Sequence, residues 1–182
     1  YSATTGRATR ELFFLREKRS ETKAHDFLNV GSMGHASSVA LGIALEKPER
    51  KVVALDGDSA YMMHMGAMTM VSKLDVPNFM HVVLNNGSHE SVGGQPSAGH
   101  KVDFTKIAEA CDYATVGHPV TTEVELMEAL EVLRNCGKAS FIDCRIHKGL
   151  SRKLPPVIFD HREVIDALID NLNESRITMD KK

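Results

Sequence analysis

Two apolar runs, Val52-Val53-Ala54-Leu55 and Val82-Val83-Leu84, each end in a polar turn. Gly57-Asp58-Ser59 follows the first and Asn85-Asn86-Gly87 the second. The 25 residues from 60 to 84 lie between the turns. This interval fits a strand, a crossover helix and a return to a neighbouring parallel strand. Such a unit sets Asp58 and Asn86 side by side at the carboxyl ends of two strands, where open α/β sheets bind ligands. A carboxylate and an amide oxygen at one place suit a hard cation such as Mg²⁺, which commonly bridges to phosphates.

The rest of the chain repeats the alternation. Residues 7–19 carry Leu12, Phe13 and Leu15 among charges and read as an amphipathic helix. Phe27 to Val30 reads as a short strand, Ala36 to Glu46 as a helix closed by Lys47-Pro48. Ala60 to Leu74 reads as the crossover helix, and its Met-rich segment as core filler on a buried face. Met80–Leu84 and Phe141–Ile146 read as strands, with a shorter one at Tyr113–Val116. Residues 87–100 hold Gly87, Gly93, Gly94, Pro96 and Gly99 and read as a loop long enough to cover a site. Asp103–Cys111 reads as a helix. Thr122 with Glu125 forms a possible capping box for a helix to Arg134, and Asp160 with Glu163 suggests a cap for His161–Leu172. The expected architecture is α/β: a doubly wound parallel sheet with helices on both faces. It forms one domain over residues 1–175, with 176–182 a frayed tail.

Composition excludes several classes. With 42% hydrophobic and 25% charged residues, the 182-residue chain is of globular type. A formal charge of −2 with no long basic run argues against a nucleic-acid surface. No apolar stretch approaches membrane-spanning length. Cys111, Cys136 and Cys144 lack CxxC spacing and read as reduced thiols of a cytoplasmic protein. Neither GxxxxGK[ST] nor GxGxxG is present, which disfavours a nucleotide-binding module.

The GD…NN element resembles the thiamine-diphosphate motif. With Gly31-Ser32-Met33-Gly34-His35-Ala36-Ser37-Ser38 before it and Ser91-Val92-Gly93-Gly94-Gln95-Pro96 after it, the chain from about Thr4 to Asn173 resembles the carboxyl-terminal half of phosphonopyruvate decarboxylases. Sulfopyruvate decarboxylases are near relatives. The resemblance implies thiamine diphosphate and Mg²⁺ as cofactors. Asp58, the Asn86 side chain and the Ser88 carbonyl would be the metal ligands. The amides of Ser59 and Ala60 would face the diphosphate. It also implies that the Gly31 carbonyl accepts from the aminopyrimidine, within the cofactor-binding stretch Gly31, Ser32, Met33 and Gly34. Met33 would wedge the cofactor into its bent form, and Gly34 would allow close approach of backbone and ring.

His35 and His89 are the candidates for contact with an anionic 2-oxo acid and for catalytic proton transfer. Glu90 and Gln95 are further candidates for contact with substrate or a neighbouring chain. The implied reaction is decarboxylation of 3-phosphonopyruvate to phosphonoacetaldehyde. The β subunit of a sulfopyruvate decarboxylase is an alternative, and a non-catalytic scaffold or regulatory subunit another. Ser59 stands where the family's commoner motif has a second Gly, which bears on diphosphate affinity. The glutamate that such enzymes direct at the pyrimidine ring belongs to a separate domain that is not legible here. The resemblance therefore implies a pyrimidine-binding domain or subunit as partner, in a homo- or hetero-oligomer.

Overall fold

A computed structural model of the protein describes residues 1–149, 154 and 160–179, without side chains beyond 174. Five parallel strands form the central sheet: β1 (Ser2–Ala3), β2 (Phe27–Leu28), β3 (Val52–Gly57), β4 (Phe79–Asn85) and, last in the chain, β7 (Ser140–Arg145). Their spatial order is β2-β1-β3-β4-β7. The chain winds outward from β1 to β2, then returns past β1 to β3. The β1/β3 junction is therefore the topological switch point, where a crevice opens beyond the strands' carboxyl ends. β5 (Ser88–His89) and β6 (Gln95–Pro96) make a small antiparallel hairpin inside the loop that follows β4.

The helices are α1 (Arg7–Lys18), α2 (Ala36–Glu46), α3 (Asp58–Met63), α4 (Phe104–Ala110), α5 (Glu123–Leu133) and α6 (His161–Met179). β4 reads FMHVVLN and is buried along almost its whole length, because both faces of the sheet are covered. On one face Val52, Ala54, Val83 and Phe141 pack with Ala40 and Ala44 of α2, Tyr61 of α3 and Phe104 of α4. On the other Met80, Val82, Ile142 and Cys144 pack with Ala129 and Leu133 of α5. A buried polar pair crosses the first face: His81 Nε2 lies 2.9 Å from Asp56 Oδ2, tying β3 to β4.

Several expectations change in detail. β1 is not legible in sequence, yet it sits inside the sheet, between β2 and β3. The crossover helix starts at Asp58, breaks at His64 and continues as a 3₁₀ segment over Met65–Lys73. The Thr69 and Ser72 hydroxyls donate to the carbonyls three residues back, at 2.8 and 2.6 Å, which competes with α-helical bonding. Met63 and Met70 face solvent and Met68 is buried, so only part of the Met cluster fills the core. Tyr113–Val116 contributes a single bridge, at Ala114. α6 continues as far as Met179, so residues 176–179 of the expected tail are helical; residues 180–182 lie outside the described residues.

The capping box forms as expected. Glu125 N donates to Thr122 Oγ1 at 3.2 Å, and Thr122 N donates to Glu125 Oε2 at 3.2 Å. Thr122→Ala should cost about 1 kcal/mol. This is readable as a fall of about 2–4 °C in Tm for a domain of this size.

Candidate functional site

A cleft of about 450 Å³ lies across the carboxyl ends of the strands. Thr4 and Thr5 enter it from the end of β1, Asp58 and Ser59 from β3, and Asn86 from β4. Gly57 pairs in register with Leu84, so the Asp58 and Asn86 turns leave adjacent strands at nearly the same height. A larger groove of about 1020 Å³ runs beside α5 at the amino ends of β3 and β4. Its wall carries none of the candidate site residues, and ligand sites in this topology lie at the opposite end.

The 450 Å³ cleft brings together Met33, Asp58, Ser59, Ala60, Asn86 and Ser88, with His89 and Glu90 at the same wall. Asp58 is buried, and its Oδ2 accepts from the Ser97 hydroxyl. Asn86 Oδ1 accepts from the Ser88 amide at 3.0 Å, an Asx turn that tightens the chain after β4. Asn86 Nδ2 donates to Glu90 Oε2 at 2.9 Å. The preceding Asn85 points into the protein, where Nδ2 donates to the Gly99 carbonyl at 2.8 Å and to Asp143 Oδ1 at 3.0 Å.

Other sequence candidates stand apart from the cleft wall. His35 is exposed, with Nδ1 3.2 Å from the Ser32 carbonyl and its ring 4.1 Å from that of His64. Gly31 is exposed, and neither it nor Ser32 lines the cleft. Gly34 is buried at φ +89°, and an added Cβ would lie 2.8 Å from the Ala60 carbonyl oxygen. Its close approach is thus to the start of α3. Gln95 is exposed in the hairpin.

Three residues of the site were not legible in sequence. Ser97 and Gly99 come from the arm after the hairpin and reach Asp58 and Asn85 across 39 and 14 residues of chain. Asp143, on β7, supports Asn85 from behind and also takes Arg145 Nε at 3.1 Å. The one available signal was a charged residue inside the otherwise apolar run Phe141–Cys144.

Burial pushes the Asp143 carboxyl above its ordinary range, against the opposing pull of Asn85 and Arg145. The folded state therefore holds this proton more tightly than the unfolded chain, and the group's contribution to stability falls as pH rises from its ordinary value through its raised folded one. Asp143→Asn removes that contribution. Urea midpoints across pH 4 to 7 should show the variant gaining on the parent protein as pH rises; parallel curves would contradict the assignment.

The family described as "Thiamine pyrophosphate enzyme, C-terminal TPP binding domain" matches residues 5–144. The chain belongs to this family. The TPP-binding family match spans β3, β4 and both polar turns. The chain is 40% identical over 128 residues to phosphonopyruvate decarboxylase of Streptomyces viridochromogenes, covering 70% of this chain and 30% of that protein. It is 28% identical over 164 residues to sulfopyruvate decarboxylase subunit beta of Methanocaldococcus jannaschii, covering 86% of this chain and 82% of that subunit. The chain thus spans less than a third of the phosphonopyruvate decarboxylase and most of the sulfopyruvate subunit. Among solved structures, the thiamine diphosphate-dependent 4-hydroxybenzoylformate decarboxylase of Rhodococcus jostii RHA1 superposes with a TM-score of 0.52 at 20% identity. That superposition covers 63% of this chain and 23% of the other and bears on the fold alone.

Among the described residues no three His, Cys, Asp or Glu side chains meet at a possible metal centre. A carboxylate residue, Asp58, and an amide residue, Asn86, line the cleft, and such a pair suits a cation that draws its remaining oxygens from a phosphorylated ligand and water. The cleft also has unmet hydrogen-bonding capacity: the hydroxyls of Thr4, Ser59 and Ser88 are buried without partners. Buried polar groups are normally paired, and a phosphorylated ligand supplies many acceptors. The residues present therefore fit thiamine diphosphate.

Proposed function

We propose that this chain forms the metal- and diphosphate-binding half of a thiamine-diphosphate-dependent 2-oxo acid decarboxylase acting on 3-phosphonopyruvate. The observation that carries the reading is the convergence of Asp58, Asn86, Ser88 and Met33 on one cleft with three unpaired hydroxyls. Asp58, the Asn86 amide oxygen and the Ser88 carbonyl would hold Mg²⁺. Ser59, in place of a second glycine, would donate its hydroxyl to a phosphate oxygen. Met33 would support the cofactor's ring system from the α2 side of the cleft. Thiamine diphosphate, when bound, supplies the electron sink for the electrons released with CO₂. The protein's part is to orient the ligand, exclude water and present His89 towards the substrate anion. A complementary pyrimidine-binding domain or subunit completes the site in an oligomer. Three free thiols accord with a cytoplasmic setting.

Extensive coverage of a separately encoded beta subunit supports a second reading, in which sulfopyruvate is the substrate. CO₂ release from 3-phosphonopyruvate and from sulfopyruvate by the assembled enzyme separates the two.

The cofactor site is tested by thermal unfolding of the chain with Mg²⁺ and thiamine diphosphate together and with each alone. Ligand at about 100 times its Kd should add about 2.7 kcal/mol. The gain should require both ligands and vanish in Asp58→Ala. No shift with the complementary pyrimidine-binding domain present, at any ligand concentration below the millimolar range, would count against the proposal.

A further inference from the structure

Arg7 opens α1, a position where the helix dipole disfavours a cation. The preceding Gly6 provides no side-chain cap, and the first turn contains no acidic residue. A helix end that lacks a cap and carries a positive charge is doubly suited to an external anion. A second observation points the same way. Thr4, beside this helix end, is 5% exposed, lines the cleft and has a hydroxyl without a partner. Arg7 is also the only Lys or Arg among the described residues of the cleft wall.

In the structure Glu90 pairs with this cation. Arg7 Nη1 lies 3.0 Å from Glu90 Oε2, and Arg7 Nη2 donates to the Glu90 carbonyl at 3.3 Å. A guanidinium has five N–H donors in a planar fork, matched to two oxygens of a tetrahedral anion. Glu90 has other bonds to keep if Arg7 leaves: Oε2 accepts from Asn86 Nδ2, and Oε1 accepts from the Gly149 amide.

We propose that Arg7 is a receptor for a phosphate- or phosphonate-type tetrahedral anion, and that Glu90 is the internal carboxylate holding its place. The proposal rests on the cofactor-site reading above. Because Glu90 also holds Asn86, exchange of anions at Arg7 is linked to the turn that would bind metal. The anion has two possible sources, the terminal phosphate of the cofactor and the phosphonate of the substrate.

Titration calorimetry of the full chain with Mg²⁺ distinguishes them. The ligands are thiamine diphosphate, thiamine, and phosphonoacetate added to the thiamine-diphosphate complex. Arg7→Gln should weaken one phosphorus-bearing ligand about 10- to 100-fold, the worth of a charge-assisted hydrogen bond or two, and leave thiamine unchanged. Loss of thiamine diphosphate affinity assigns the anion to the cofactor, and loss confined to phosphonoacetate assigns it to the substrate. Arg7→Lys should recover part of the loss. Glu90→Gln, which keeps one oxygen for Asn86 Nδ2, should lose less affinity for that ligand than Arg7→Gln.

Unchanged binding of both ligands by Arg7→Gln overturns the proposal. So does an equal loss in Glu90→Gln, the signature of a merely structural ion pair. Asp58→Ala separates this failure from the larger one. If the parent binds thiamine diphosphate and Asp58→Ala does not, the cofactor reading stands whatever Arg7 does. If the parent binds none even with the complementary pyrimidine-binding domain present, both readings fall.

Discussion

Arg16→Ala should remove about 3–5 kcal/mol of folding stability, the cost of leaving a buried charge without its partner. Asp26 is fully buried just before β2, and Arg16 of α1 grips it with both arms of the guanidinium. Nε lies 2.8 Å from Oδ2, and Nη2 lies 3.0 Å from Oδ1. Nη1 reaches Glu21 at 2.6 Å. Asp26 is the chief reason that the guanidinium holds its proton even more tightly than usual. The Arg16 side chain is only 15% exposed, so solvent screens the pair weakly.

At about 2–4 °C per kcal/mol for a domain of this size, Tm should fall by roughly 10 °C. Arg16→Lys should recover only part, since an ammonium cannot reproduce the fork. Replacing both partners with apolar residues should cost much less than losing Arg16 alone, because no buried charge is left behind. A loss under about 1 kcal/mol in Arg16→Ala would place the pair among ordinary solvated surface bridges. The effect reaches the site as well. α1 supplies Arg7, Ala8 and Leu12 to the cleft wall, and its far end is anchored here.

The α/β alternation was legible because its longest elements announce themselves. α2 has the bounds expected from its Ala- and Leu-rich run and the Lys47-Pro48 stop. β3, β4 and β7 follow from apolar runs within one or two residues. β1 was hidden because it is two small residues, Ser2 and Ala3, with no apolar run to mark it; its place comes from pairing with β2 and β3. The Asp58 and Asn86 turns were legible because a polar turn after an apolar strand is a local signal. The support around them was not. Ser97, Gly99 and Asp143 join Asp58 and Asn85 through folding, and no spacing rule links residues brought together from different arms of a chain. His81, inside an apolar run, and Asp56, at the end of one, did carry a signal as polar residues, but their pairing becomes visible only in the strand register.

Gly99→Ala should disrupt the site more than the fold. Gly99 is buried, and an added Cβ would overlap Asp58 Oδ2 and Asn85 Oδ1 and lie 2.9 Å from Asp58 Cβ. Neither neighbour yields easily. Asn85 is held by its donations to the Gly99 carbonyl and Asp143, and Asp58 by Ser97. Overpacking should cost about 1–3 kcal/mol of stability. The larger consequence is a displaced Asp58 carboxylate. Disturbing the groups that orient a metal ligand typically costs about 10- to 100-fold in affinity; with Asp58 holding Mg²⁺ as proposed, the same loss is expected for Mg²⁺-dependent binding of thiamine diphosphate. Gly42→Ala is the matching control. It lies inside α2 with no atom within 4 Å of an added Cβ, so it should leave binding unchanged and stabilise the helix by about 0.5–1 kcal/mol. Calorimetric titration of both variants reads the contrast. If Gly99→Ala binds the cofactor as tightly as the parent chain, the arm from Ser97 to Gly99 does not set the position of Asp58. If it binds weakly while remaining folded, close packing of a backbone without a side chain is what keeps that carboxylate in place.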